Sequence, residues 1–178
     1  EVDTEDPEEF ISTVVNISKT FGGINLEDIK APECFEIERR IAEATDVPVM
    51  HDDQHGTAII SAAALLNAAE LQGKPLDGLK VVVIGAGASA IACANHYIAI
   101  GVSIENITLV DRQGIVTKKR LDAGELNEYK APFAHDRAPG DLGDAMKGAD
   151  VMLGLSRGGL VSQDMVKSMA DKPIIFAL

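Results

Sequence analysis

Val81-Val82-Val83-Ile84-Gly85-Ala86-Gly87-Ala88-Ser89-Ala90 decides the fold. Four β-branched apolar residues form a strand of the buried type, and they run straight into G-x-G-x-x-A and a helical pattern. Gly85 permits the tight turn, Gly87 lets the backbone approach a pyrophosphate, and Ala90 lets helix and strand pack closely. The N-terminus of the helix offers free N–H groups and a partial positive charge to an anion. Asp111, at the end of the next predicted strand, is placed to accept ribose hydroxyls of a dinucleotide. The competing reading is an α/β turn that uses small residues for packing alone. The strand before, the helix after and the acid downstream favour the dinucleotide.

Working outward, strands are predicted at about 80–84, 107–111, 150–155 and 174–178. Helices are predicted at about 88–100, 118–129, 141–147 and 162–170. This β-α-β-α-β run implies a Rossmann-like, doubly wound parallel sheet with right-handed crossovers. Upstream, Asp6-Pro7-Glu8-Glu9 is a helix start, followed by Phe10, Ile11, Val14, Val15 and Ile17 at helical spacing. Phe21 to Leu26 is extended. Pro32 opens a second helix that turns Phe35, Ile37, Ile41 and Ala44 inward, with Glu36 and Arg40 as an i,i+4 pair. Val47 to Met50 reads as a short strand. An Ala-rich helix from about Thr57 to Leu71 is apolar nearly all round, so it is expected to be buried on several sides. Gly73 stops it. The chain divides into residues 1–72 and residues 73–178.

The 178 residues carry a net charge of −12, of which −11 falls within residues 1–56. An acidic balance argues against nucleic acid and against anionic membranes as partners. No apolar run reaches membrane-spanning length, and the acidic start does not resemble a targeting peptide. Cys34 and Cys93 lack C-x-x-C spacing and read as buried thiols in a reducing compartment. The location expected from these features is the cytoplasm.

Glu27-Asp28 and Asp52-Asp53 share one design: each adjacent carboxylate pair ends a predicted strand. Carboxylates converging there would repel one another, and a bound Mg²⁺ or Mn²⁺ relieves that through hard oxygen ligands. The plain alternative for either pair is a helix cap or a solvated loop. His51 and His55 flank the second pair, but H-D-D-Q-H is not H-E-x-x-H, and a turn is expected at Gly56. They read as local hydrogen-bonding or pocket-lining residues, not as zinc ligands. Arg112, Lys118, Lys119 and Arg120 follow Asp111 and could serve a 2′-phosphate, although a solvated helix face explains that cluster more simply. The negative charge of Asp111 tilts the cofactor toward NAD over NADP. Leu155-Ser156-Arg157-Gly158-Gly159 follows a strand end and is either a cofactor contact or a structural turn.

Phe21-Gly-Gly-Ile-Asn-Leu-Glu-Asp-Ile29, Ala31-Pro-Glu-Cys-Phe-Glu-Ile-Glu38 and Pro48-Val-Met-His-Asp-Asp-Gln-His-Gly-Thr-Ala58 closely resemble malic enzymes of the bacterial and archaeal type. The resemblance covers essentially the whole chain. It implies the C-terminal part of an α/β substrate and metal domain over 1–72, followed by an NAD(P)-binding domain over 73–178. It implies Glu27, Asp28 and Asp53 as metal ligands, and Asp52 as the carboxylate beside a catalytic lysine. Gly85, Ala86, Gly87, Ala88, Ser89 and Ala90 correspond to the pyrophosphate loop, Asp111 to the ribose carboxylate, and Thr57 to a residue near the nicotinamide end. The implied reaction is oxidative decarboxylation of malate to pyruvate and CO₂ by a homo-oligomer, a dimer or tetramer. The family's general-base lysine and proton-donating tyrosine lie upstream of G-G-I-N-L-E-D, where no matching segment stands here. Tyr97 and Tyr129 do not match, and the family's Ala-Asn-Pro turn would follow Leu178. Ser89 and Arg157 depart from the usual residues. The expectation is an internal piece of a longer enzyme, unable to turn over alone.

Overall fold

The computed structural model describes residues 2–178. Helix α1 (Pro7–Ile17) starts as expected, with the Asp6 carboxylate accepting the Glu8 N–H at 2.9 Å and Pro7 in the first turn. Strand β1 (Ile24–Leu26) leads to helix α2 (Glu33–Ala44), then to strand β2 (Val49–His51). Ile11 and Val14 of α1, Leu26, and Ile37 and Ile41 of α2 form a small core of their own. The expected Glu36–Arg40 pair is not made. Arg39 takes Glu36 and Glu43, while Arg40 reaches across to Glu8 of α1. All of these groups are solvated, so they add little stability.

Helix α3 (Asp52–Gln72) begins five residues earlier than predicted. The turn expected at Gly56 is helix, and Asp52 and Asp53 occupy its first turn, where carboxylates complement the dipole. Gly73 ends it in the left-handed conformation at φ +66°, its N–H donating to the carbonyls of Ala69 and Glu70. Ala58, Ala62, Leu65 and Ala69 are buried, but the opposite face is open, with Ile60 64 % and Leu71 86 % exposed. The expectation of burial on several sides is therefore met on one side only in this chain.

Strand β3 (Val81–Ile84) lies at the centre of a five-stranded sheet. Helix α4 (Ala88–Ala99) crosses to strand β4 (Ile107–Asp111), and β4 turns at Gly114 into the two-residue strand β5 (Gly114–Ile115). Then follow α5 (Lys118–Asp122), α6 (Leu142–Met146), β6 (Val151–Gly154), α7 (Gln163–Lys167) and β7 (Ile174–Ala177). The order is β5-β4-β3-β6-β7, parallel except for β5, which pairs antiparallel with β4. That edge corrects the expectation of a wholly parallel sheet. The helix predicted over 118–129 is five residues long, because Gly124 adopts φ +75° and turns the chain.

All four residues of β3 are buried, as a parallel strand covered on both faces requires. Val81 and Val83 pack in a core with Ala58, Leu65, Ala94 and Tyr97 from α3 and α4. Val82 and Ile84 pack on the other face with Met146, Met152 and Met169. Among the described residues no helix is long and apolar enough to cross a membrane.

Candidate functional site

The chain leaves β3 toward β4 on one side and returns to β6 on the other. The gap above β3 is therefore the switch point at which open α/β sheets take ligands. A cleft of about 1090 Å³ opens there, lined among others by Gly85, Ala86, Gly87, Asp111, Lys130 and Arg157. Gly85 has φ +123°, and a Cβ on it would meet the Leu155 carbonyl at 2.7 Å. Gly87 caps α4, and a Cβ on it would meet nothing within 4 Å. That open space sits over the free N–H groups of Ala88, Ser89 and Ala90, where a pyrophosphate would lie. Ala90 is 1 % exposed, in the core between α4 and the sheet. The Ser89 hydroxyl points the other way and donates to the Asp53 carbonyl at 2.5 Å.

Asp111 is not a free acceptor. Arg120 Nη1 and Nη2 contact its two oxygens at 2.9 and 3.0 Å, Lys130 Nζ adds a bond of 3.0 Å to Oδ2, and the Gln113 N–H one of 3.0 Å to Oδ1. Burial alone would raise this carboxyl, but the hydrogen bonds from Arg120, the Gln113 amide and Lys130 outweigh it and hold it below the usual carboxylate range. Arg120 is thus not on a solvated helix face as expected. Its side chain is only 12 % exposed. Lys130 carried no sequence signal, because it reaches Asp111 from a loop nineteen residues away.

Strands β1 and β2 pair parallel, with Leu26 opposite His51. Glu27-Asp28 and Asp52-Asp53 therefore leave at the same edge. Asp28, at φ +60°, donates its N–H to Asp53 Oδ2 at 2.9 Å. Glu27 is exposed and makes no side-chain hydrogen bond among the described residues. As the side chains stand, no three His, Cys, Asp or Glu among the described residues are grouped closely enough to hold one ion. The Asp28 backbone meets the Asp53 carboxylate, and Glu27 does not join them. Three carboxylates leaving one strand edge are of the hard-oxygen type that Mg²⁺ or Mn²⁺ takes, although their oxygens are not gathered round one point. Thr57, half-buried, follows on the second turn of α3.

Asp52 folds over Gly56, and a Cβ there would lie 2.1 Å from Asp52 Oδ1. Gly56→Ala is therefore expected to leave the melting temperature unchanged or raise it, since Ala favours a helix interior by about 1 kcal/mol. At the same time it should drive Asp52 out of place. A crystal structure of the variant with Asp52 unmoved would contradict this.

His51 is fully buried. Its Nδ1 lies 2.9 Å from Gln54 Nε2, and Gln54 Nε2 also donates to Glu38 Oε2 at 3.1 Å. Glu38 further accepts the His51 N–H at 3.0 Å and contacts His55 Nε2. Both histidines are thus held locally, as expected. Glu38, the hub of this cluster, went unrecognised in the sequence because it sits on α2 and meets the others only in the folded state.

A glycine turn at the switch point and a nucleotide-sized cleft define a dinucleotide-binding α/β domain, with two acidic pairs at a neighbouring strand edge. The family model described as malic enzyme, NAD binding domain, matches residues 54–178, and the malic enzyme N-terminal domain matches residues 2–42. The chain belongs to the malic enzyme family. It is 52 % identical to the NADP-dependent malic enzyme of Halomonas elongata over 177 residues, which are 99 % of this chain and 41 % of that protein. It is 48 % identical to an NAD-dependent malic enzyme of Rhizobium meliloti over all of this chain and 23 % of that protein. The crystal structure of the NAD-dependent malic enzyme from Thermotoga maritima superposes with a TM-score of 0.91 at 42 % identity, over 99 % of this chain and 47 % of that one. The chain thus spans less than half the length of these relatives.

Proposed function

We propose that the protein containing these residues oxidatively decarboxylates malate to pyruvate and CO₂ while reducing NAD(P)⁺, with a divalent cation. The observation that carries this reading is the meeting of Asp28 and Asp53 at a strand edge tied by Ser89 to the dinucleotide loop. The α4 N-terminus and the Gly85–Gly87 turn bind and orient the pyrophosphate. Asp28, Asp53 and Glu27 would hold the cation, which would supply Lewis acidity for a substrate carbonyl. Asp52, fixed over Gly56, is the carboxylate next to the catalytic base.

The cofactor we favour is NADP, a change from the tilt toward NAD given by the charge of Asp111. Its support is that Asp111 is neutralised by Arg120 and Lys130, with Glu125 also on Arg120, so the exposed Arg112 is the charge left unbalanced beside this cluster. That patch suits a 2′-phosphate and leaves no free carboxylate for a ribose hydroxyl. Cytoplasmic location and homo-oligomeric assembly belong to the same proposal. The two buried free thiols support the first, and the open apolar face of α3 is consistent with the second.

With malate, Mn²⁺ and NADP⁺, the protein should release pyruvate, CO₂ and NADPH in equal amounts, and Asp53→Asn should stop all three. NADPH formed without CO₂, or an Asp53→Asn enzyme that works as the wild type does, overturns the reading.

A further inference from the structure

We propose that His51 is a positioning residue that fixes Asp53 Oδ2 and so leaves Asp53 Oδ1 as the oxygen presented to the cation. This rests on the reading of Asp53 as a metal ligand. The Glu38 carboxylate can only accept hydrogen bonds, so the Gln54 group facing it at 3.1 Å is the amide NH₂. The same NH₂ lies 2.9 Å from His51 Nδ1, which must therefore accept. The ring's donor is then Nε2–H. That Nε2–H is fully buried and finds no well-aligned hydrogen bond, and it lies 3.3 Å from Asp53 Oδ2. Oδ2 also accepts the Asp28 N–H at 2.9 Å, whereas Oδ1 has no hydrogen bond among the described residues.

Two donors thus converge on one oxygen of Asp53 and leave its partner free. Glu38 and Gln54 set the tautomer, and His51 transmits it to the edge where the cation would sit. A buried donor left without a good partner is disfavoured unless its neighbour moves toward it. A small closure of Asp53 onto Nε2 would satisfy the donor and order the ligand in the same movement. Groups that orient ligating carboxylates in this way contribute substantially to metal affinity without touching the ion.

The test is Mn²⁺ affinity, read from the electron paramagnetic resonance of free Mn²⁺ in titrations of the whole protein, together with ¹⁵N NMR of the His51 ring. His51→Leu removes the donor and is expected to weaken Mn²⁺ binding about 10- to 100-fold. His51→Gln keeps an N–H at the same reach and should stay within about 3-fold of wild type. NADP⁺ affinity measured without metal should be unchanged in both. The NMR spectrum should show Nδ1 unprotonated and Nε2 protonated, and the opposite tautomer overturns the proposal whether or not the variants fold. Wild-type Mn²⁺ affinity in His51→Leu, with binding lost in Asp53→Asn, overturns the role of His51 and leaves the metal site standing. Unchanged Mn²⁺ affinity in Asp53→Asn removes the metal site and this proposal with it. Failure of His51→Gln to restore affinity shows a packing role only and also overturns it.

Discussion

Gly85→Ala should both unsettle the fold and abolish dinucleotide binding. At φ +123° an L side chain is strained whatever the space, and here the added methyl would also stand 2.7 Å from the Leu155 carbonyl. That carbonyl follows β6, and β6 is hydrogen-bonded along its length to β3. Relief requires opening the central pair of the sheet or flipping the Gly85 peptide, and the flip would forfeit the 2.8 Å bond from its N–H to Val110. Together these amount to roughly 3 kcal/mol or more, a fall of about 6–12 °C in melting temperature for a domain of this size. Displacing the turn also carries the α4 N–H groups off the pyrophosphate, so affinity should fall at least about 100-fold, or ~2.7 kcal/mol. Gly87→Ala is the informative contrast. Its φ is −92° and the space around it is open, so the fold should hold while the methyl occupies the path of the phosphate. Thermal melting and nucleotide titration of both variants decide the matter. Wild-type affinity in Gly85→Ala would disprove the assignment of the loop.

Arg120→Met should reverse the cofactor preference. Asp111 and Arg120 are 14 % and 12 % exposed and joined by two parallel hydrogen bonds, so the loss of the guanidinium is expected to destabilise the protein by about 2–3 kcal/mol. The larger effect is on binding. With Arg120 gone, each oxygen of Asp111 loses one donor and keeps one, from the Gln113 N–H and Lys130. Acceptor capacity is freed for a ribose hydroxyl, while the patch loses a guanidinium that attracts a 2′-phosphate. NADP⁺ affinity should fall about 10- to 100-fold while NAD⁺ affinity is unchanged or improved, as expected for a charge-assisted pair removed from a phosphate site. The ratio of the two dissociation constants is the quantity to measure. A ratio equal to that of wild type would show that Arg120 serves Asp111 alone.

What could be read from the chain was whatever depends on neighbours in sequence. The strand, glycine turn and helix around Gly85 are local, and so is the left-handed stop at Gly73. That Glu27-Asp28 and Asp52-Asp53 leave one edge was legible because both follow short strands. The contact made there, from the Asp28 backbone N–H to the Asp53 carboxylate, depends on the positive φ of Asp28 and was not legible. The start of α3 was misread because Gly56 looks like a breaker. In the folded chain the Asp52 carboxylate occupies the volume its side chain would have filled, which is why glycine is compatible with helix there. The helix predicted past Asp122 failed at Gly124 for the ordinary reason of a positive φ. Lys130 and Glu38 were invisible because their partners are brought to them only by the turn after β4 and by the packing of α2 against β2.

One consequence lies in how α3 is mounted. Asp53 rides on a rod whose body is embedded in the core beneath the nucleotide cleft, whereas Glu27 and Asp28 are carried by the smaller core of α1 and α2. Glu38 of α2 already bonds the first turn of α3, so the two cores share this edge before any ion arrives. A cation held there would add a second tie across the same seam, and removing it would leave the Glu38 tie in place.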